Sequence, residues 1–445
     1  MADDAELELA REVVRIALDA GATQAEATVA VADRFSTEAR DTEISKLEQS
    51  VARGLTLRVF ERGAKATLAT SDLSLASLRA FAREAVAAAR FVTADPHGGL
   101  PDPGAFATEI PTLPTYADDV RARAPEAKIA DALALERLSR ETDERIVNSS
   151  GSRVADATTT LALANSLGFA GSYRASQVVA SAAPIARDGT NKRQGSYGSA
   201  ARSYARLEAI DTIAAKAARR AVASIGARKP ATMRCPAIFD RDVAALVLAD
   251  LFTAANAANV AIGNSFLAGR VGEKIGSDLA TIVDDGRLAE GLGTSPFDAE
   301  GVATRRTLVF ERGTLRSFLF DTYYARRLGT ASTGNAAGGG IGPNNFYLEP
   351  GASTPEELVA ATQRGVFVTD TIGFATESVT GTYSRGARGF AIVNGELAYP
   401  IDEFTIAGNL LEMLAGLDAV ANDLVFDQAI VAPTFRIAEI TVSGT

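Results

Sequence analysis

Acid–base and metal chemistry in proteins draws mainly on histidine, cysteine and paired carboxylates, and the first two are nearly absent here. Among 445 residues there is one histidine, His97, and one cysteine, Cys235. A zinc site of closely spaced His or Cys ligands needs at least two of them together, and these two stand far apart in the chain. A Ser-His-Asp or Cys-His arrangement would have to recruit His97, which lies in the turn-forming run Asp95-Pro96-His97-Gly98-Gly99. Carboxylates are the plentiful groups. Asp284-Asp285 and Asp298-x-Glu300 each bring two acids close enough to hold a hard cation, which would make the chain a self-sufficient hydrolase. The bland reading is turn bonding: Asp285 precedes Gly286, and Asp298 and Glu300 precede Gly301 and a strand.

Other motifs fall short in specific places. No Gly-Lys-Ser/Thr tripeptide is present for a phosphate-holding loop. Gly338-Gly339-Gly340-Ile341-Gly342 resembles a phosphate cradle, but its glycine register fails at Pro343, so a mobile loop is expected. Gly263-Asn264-Ser265-Phe266 approaches a nucleophile elbow and loses it at Leu267. The formal charge of −10 opposes sequence-independent attraction to nucleic acid or anionic lipid. With an acidic N-terminus and no apolar run long enough to span a bilayer, the sequence predicts a cytoplasmic protein that binds neither nucleic acid nor membrane.

These residues must be held by elements of both kinds. Apolar spacing of three and four predicts helices over residues 6–20, 74–90, 126–141, 207–225 and 240–256. Alternation predicts strands over 25–31, 55–59, 154–164, 169–174, 177–185 and 231–239. Six of the fifteen prolines fall at 96, 101, 103, 111, 114 and 125, which excludes a continuous element there and marks a connector. Glu311-Arg312-Gly313 and Asn394-Gly395 join hairpins spanning 304–320 and 390–401. Short helices are expected at 323–328, 355–364 and 405–417. The fold class is therefore α+β: an N-terminal mixed lobe (1–95), a connector (96–125), a central α+β segment (126–230), and a strand-rich, antiparallel, barrel-like C-terminal domain (231–445).

Several runs resemble one family in order and spacing: Ser265-Phe266-Leu267-Ala268-Gly269-Arg270-Val271-Gly272-Glu273, Thr281-Ile282-Val283-Asp284-Asp285-Gly286, Pro296-Phe297-Asp298-Ala299-Glu300-Gly301, Ser332-Thr333-Gly334-Asn335-Ala336, and Val379-Thr380-Gly381-Thr382-Tyr383-Ser384-Arg385-Gly386. The chain resembles the TldD/PmbA metallopeptidase-like proteins, also called modulators of DNA gyrase. The resemblance implies one of two kinds of subunit. The TldD kind carries His-Glu-x-x-x-His on the helix before Gly-Arg-Val-Gly-Glu, binding zinc with a cysteine near the C-terminus. Counted back without gaps from Gly269, those positions here are Leu248, Ala249 and Thr253, a degenerate metal motif, and Cys235 precedes the helix. The resemblance thus implies the PmbA/TldE kind, a non-catalytic subunit with no metal or cofactor of its own. Zinc is then expected in a TldD-like partner, in a heterodimer whose chamber admits unfolded peptides. A homodimer that binds peptides without cleaving them is the alternative. Ser332, Thr333, Gly334 and Asn335 are expected on a substrate- or partner-facing loop.

Overall fold

Buried Val13, Val14, Ile16 and Ala17 make one apolar side of α1 (Ala2–Asp19), and Leu78, Ala82, Ala85, Val86 and Ala89 make that of α2 (Leu75–Arg90), which Ser74 caps. A helix with one apolar stripe needs a second layer to cover it. Ala25, Ala27 and Val29 of β1 (Gln24–Arg40) and Leu55, Leu57 and Val59 of β2 (Glu43–Glu61) supply that layer, and β3 (Ala64–Thr70) pairs with the second half of β2. The structure, a computed structural model, describes residues 2–289, 291–373 and 376–444. Both expected strands are much longer than 25–31 and 55–59. Residues 43–53 are exposed throughout, so no alternation of apolar and polar side chains announces them.

Past the connector, which holds only a 3₁₀ turn (Pro103–Ala105) and α3 (Asp118–Ala122), come α4 (Pro125–Glu141), β4 (Ile146–Asn165), β5 (Ala170–Asp188), β6 (Asn191–Gln194), β7 (Tyr197–Ala201) and α5 (Ile210–Ala223). One strand, β5, replaces the expected pair at 169–174 and 177–185. β4 pairs with β1 from Glu26↔Asn165 to Ala39↔Ser152, so segments 1–95 and 126–230 contribute to a single sheet of order β3-β2-β1-β4-β5-β6, with β7 also on β5. Local periodicity cannot reveal such a pairing across a connector. α4 and α5 pack on Val154, Ala180 and Ala182 through Ala132, Leu135, Ile213 and Ala217. The other face of the sheet lines an open hollow at Arg34, Ser36, Arg153, Ala157 and Gln177.

The C-terminal domain starts with β8 (Met233–Phe239), α6 (Arg241–Ala255) and α7 (Ala257–Ala261), followed by β9 (Ile282–Asp285), β10 (Arg306–Glu311), β11 (Thr314–Leu315) and α8 (Thr322–Arg327). After them come β12 (Ala336–Ala337), β13 (Gly340–Ile341), β14 (Phe346–Leu348), α9 (Pro355–Ala360), β15 (Arg364–Ile372), β16 (Thr382–Val393), β17 (Glu396–Asn409), α10 (Leu410–Ala415), β18 (Leu417–Val420), β19 (Ile430–Val431) and β20 (Phe435–Ser443). The order β17-β16-β15-β8-β20 closes through β17–β20 pairing into a five-stranded barrel. It is antiparallel except at β8–β15. The Asn394-Gly395 turn has φ of 54° and 78° at its two residues, the left-handed pair that a two-residue hairpin requires. The helix expected at 405–417 is shorter: Phe404 and Ile406 are buried in strand alternation, and Asn409 caps Leu411 to start α10. Likewise α9 stops before 364, where β15 begins, and the expected mobile loop at 338–342 is largely the β12–β13 hairpin. No described helix is long and apolar enough to cross a membrane.

Candidate functional site

The motif carboxylates lie together in one buried network. Asp284, in the middle of the β10-β9-β14 pairing, is fully buried. Its Oδ1 accepts the Asn344 backbone N–H at 2.9 Å, and its Oδ2 accepts the Nδ2 groups of Asn335 at 2.7 Å and Asn344 at 3.0 Å. Asp298 Oδ1 accepts the N–H groups of Glu300 (2.9 Å) and Val302 (3.0 Å), and Oδ2 that of Ala336 (3.0 Å). Glu300 Oε2 accepts from Thr322 N at 3.0 Å, and Oε1 from Arg58 Nη1 at 3.1 Å. Arg58 in turn bonds Glu26, so β1 and β2 are tied to the C-terminal domain through a buried Glu-Arg-Glu triad. Burial pushes the Asp284 carboxyl up to about 6 against its amide donors, Asp298 up to about 8 with Glu300 adding repulsion, and Glu26 up to about 7 against the pull of Arg58.

This geometry contradicts the hard-cation reading of Asp284, Asp285, Asp298 and Glu300. A cation needs open oxygen lone pairs converging on one point. All six oxygens of Asp284, Asp298 and Glu300 already face N–H donors, and Asp285 Oδ1 takes the Arg287 N–H at 2.9 Å in a turn. Among the described residues, no group of three or more His, Cys, Asp or Glu is placed to hold a metal ion.

The Ser332–Asn335 run is brought to this network, but its side chains turn inward. Thr333 Oγ1 donates to Asn335 Oδ1 at 2.7 Å and accepts the Phe320 N–H at 2.7 Å, while Ser332 Oγ donates to Phe320 O at 3.2 Å. All four residues are buried. The expected substrate- or partner-facing loop is therefore a clamp, because its polar atoms are needed to satisfy Asp284 and the Phe320 backbone. What it presents outward is the β12–β13 hairpin. Gly334 has a φ of +76°, and a Cβ there would sit 2.6 Å from Ala303 O. Gly334→Ala is expected to cost at least about 2 kcal/mol from strain and backbone clash, read as a lower chemical-unfolding midpoint; an unchanged midpoint would refute the clamp.

Beside the network runs a groove. It has a volume of about 300 Å³ between the open sheet face, at Thr28, Leu161 and Tyr173, and a rim carrying Thr294, Ala336 and Asn344. Along the same face a second hollow of about 390 Å³ reaches Arg34, Ser36, Arg153 and Gln177. Arg202 fixes the rim: almost fully buried, it donates to the carbonyls of Gly291 and Leu292, both at 2.8 Å, and of Thr294 at 3.2 Å. Desolvation lowers its pKa to about 10. Neither Arg202 nor Arg58 stands in a local motif, so sequence reasoning misses both.

The degenerate metal positions do not converge. Leu248 faces the core with Val247 and Leu251, lining an apolar hollow with Ile282, Leu348 and Phe435. Thr253 is exposed and bonds back to Ala249 O at 2.9 Å. The adjacent carboxylate, Asp250, is held by Arg385 Nη2 at 2.9 and 2.8 Å and by Thr376 Oγ1 at 2.8 Å. Cys235 is buried on β8, and desolvation pushes its thiol up to about 11. Zinc takes imidazole, thiolate or free carboxylate; the residues at this helix do not fit it.

Comparison with known proteins matches this arrangement along nearly the whole chain. Residues 25–89, 118–225 and 232–444 match the models of domain 1, the central domain and the C-terminal domain of the PmbA/TldA metallopeptidases. Metalloprotease PmbA of Escherichia coli O157:H7 is 30% identical over 445 residues, 99% of this chain and 97% of that protein. The chain belongs to the PmbA/TldD metallopeptidase family. A PmbA homologue of Buchnera aphidicola is 31% identical over 92% of this chain and 91% of that one. Among solved structures, a candidate modulator of DNA gyrase from Bacteroides thetaiotaomicron superposes with a TM-score of 0.94 at 27% identity, covering 100% of both chains. TldE of Thermococcus kodakarensis shares the fold, with a TM-score of 0.90 at 22% identity over 98% of this chain and 100% of that one. The family motifs from Thr281 to Ala336 are thus the residues that build the network and the groove rim.

Proposed function

We propose that this chain is the non-catalytic subunit of a PmbA/TldD-type metallopeptidase, working in the cytoplasm beside a zinc-bearing TldD-like partner. Its groove would form part of a chamber that receives unfolded peptides. The observation that carries the reading lies on helix α6: the positions of the zinc motif hold Leu248, Ala249 and Thr253. The groove supports the substrate class. A strand-built wall with a polar lining suits an extended peptide, whose backbone can bond without a demand for one sequence. The chain's own contribution is positional: the Asp284–Asn335–Asn344 network fixes the rim, and Arg202 holds the rim to the sheet.

The test is reconstitution. The chain alone is expected to leave casein and unstructured peptides intact, and an equimolar mixture with a His-Glu-x-x-x-His relative from the same source is expected to cleave them. Cleavage by the relative alone at the rate of the mixture would refute the subunit role. A homodimer that binds peptides and forms no complex with the relative would favour the binding-protein alternative.

A further inference from the structure

On its helix-bearing side the sheet is covered by α1 and α2 at one end and by α4 and α5 at the other, and a hollow of about 400 Å³ remains between them. It lies on the opposite face from the groove, since Val31 and Asp33 continue the alternate row of Ala25, Ala27 and Val29. Register fixes its layout. Asp33 of β1 stands beside Thr158 of β4, and Thr160 of β4 beside Arg174 of β5. Glu6 of α1 closes the β1 side, with Arg53 of β2 at 3.3 Å from its Oε1. Tyr116 and Arg121 close the β5 side. The connector is stitched to β5 there: Thr115 Oγ1 donates to Arg174 O at 2.6 Å, Ser176 N to Thr115 O at 2.9 Å, and Ala117 N to Ser176 Oγ at 2.9 Å. α3 is pinned through Asp119, which accepts from Ser203 Oγ at 2.7 Å and Ala205 N at 3.1 Å.

The two walls carry opposite charge, and neither is satisfied by the other. Glu6 is only 9% exposed, yet its Oε2 has no hydrogen-bond partner. The Asp33 carboxylate has neither a hydrogen bond nor an ion pair among the described residues. On the far wall Arg121 bonds no carboxylate among them, and Arg174 stacks 3.5 Å above the Tyr116 ring without one. The hydroxyls of Thr158 and Thr160, on the floor between, bond no described protein group. β4 keeps β1 and β5 two strand spacings apart, about 10 Å, which holds the acids away from the arginines. Charges drawn out of water are ordinarily paired, so a hollow with both signs and no pair across it suits a molecule that carries both. A free amino acid bears its ammonium and carboxylate on one carbon, too close together to reach both walls. A dipeptide adds one residue of extended chain, about 3.5 Å, and the side chains of Asp33 and Arg174 span the rest.

We propose that this hollow binds a zwitterionic dipeptide, its ammonium against Glu6 and Asp33, its carboxylate against Arg121 and Arg174, and its peptide group over Thr158 and Thr160. The site is separate from the groove and does not depend on the subunit role. Isothermal titration calorimetry of the full chain with dialanine tests it, beside N-acetyl-dialanine, dialanine amide and alanine, and with Asp33→Asn and Arg174→Gln, thermal unfolding being the control for folding. Dialanine is expected to bind one to one, and blocking either terminus to weaken it at least about tenfold by removing a charge-assisted contact. Asp33→Asn should weaken dialanine at least about fivefold while leaving the N-acetyl form unchanged, and Arg174→Gln should do the same for dialanine against its amide. No saturable binding, equal affinity for the blocked forms, alanine binding as tightly as dialanine, or indifference to either substitution would overturn the proposal. Since both substitutions lie off the groove, binding that ignores them would place the peptide elsewhere. An inactive mixture with the zinc-bearing relative would overturn the subunit role and leave this site standing.

Discussion

Asp284→Ala is expected to lower the free energy of unfolding by about 3–5 kcal/mol, because it leaves buried donors without an acceptor at about 1–3 kcal/mol each. The orphans would be Asn335 Nδ2, the Asn344 N–H and Asn344 Nδ2, at residues 2% and 6% exposed. Asn335 Nδ2 and Asn344 Nδ2 keep secondary contacts to the carbonyls of Gly342 and Gly334 at 3.0 and 3.1 Å, which places the expected loss below the full sum. Asp284→Asn keeps the shape and one acceptor oxygen, so its loss should be about half as large. Chemical unfolding monitored by circular dichroism separates the two. Equal losses for both variants would mean that packing, and not hydrogen bonding, is what Asp284 contributes.

Arg58→Met removes the only cation in the Glu26-Arg58-Glu300 triad and leaves two carboxylates buried without their partner, an expected loss of about 3–5 kcal/mol near pH 8. The pH dependence has a definite sign. The Glu26 carboxyl is held up at about 7 from a reference of 4.5, so the folded state binds its proton more tightly than the unfolded chain. Its contribution to stability is fully present below about 4.5, is lost as pH rises through that window, and is flat above about 7. In Arg58→Met the downward pull of the guanidinium is gone, so Glu26 titrates higher still, and the deficit against wild type should shrink as pH falls through neutrality. Glu26→Gln in the same background should recover much of it. A deficit equal at pH 5 and pH 8 would contradict the assignment of the loss to unpaired buried charge.

Helices with a one-sided apolar stripe were readable from the chain: α1, α2, α4, α5 and α6 stand within a few residues of where their periodicity puts them. The Asn394-Gly395 hairpin was readable for the same reason, since its signal is local. Strands with two solvated sides were not. Residues 43–53 carry charges and apolar groups without order, because neither face meets a core. Pairing between distant segments, as in β1 with β4, leaves no local trace either, and the barrel closure by β17 and β20 is of that kind. The candidate site divides along the same line. Its carboxylates and the Ser332–Asn335 run could be singled out, but whether an aspartate accepts backbone N–H groups or holds an ion depends on neighbours sixty residues away, as with Asp284 and Asn344. Arg58 and Arg202, which join the sheet to the C-terminal domain, have no flanking pattern at all.

The most direct measurement is the metal content of the isolated chain. After incubation with excess zinc and gel filtration, elemental analysis is predicted to find zinc far below one ion per chain, because Leu248, Ala249 and Thr253 offer no imidazole, thiolate or free carboxylate. The same treatment of the complex with the His-Glu-x-x-x-His relative should retain one ion per complex. One ion per isolated chain, retained through the column, with peptidase activity lost to a chelator and regained with zinc, would contradict the account.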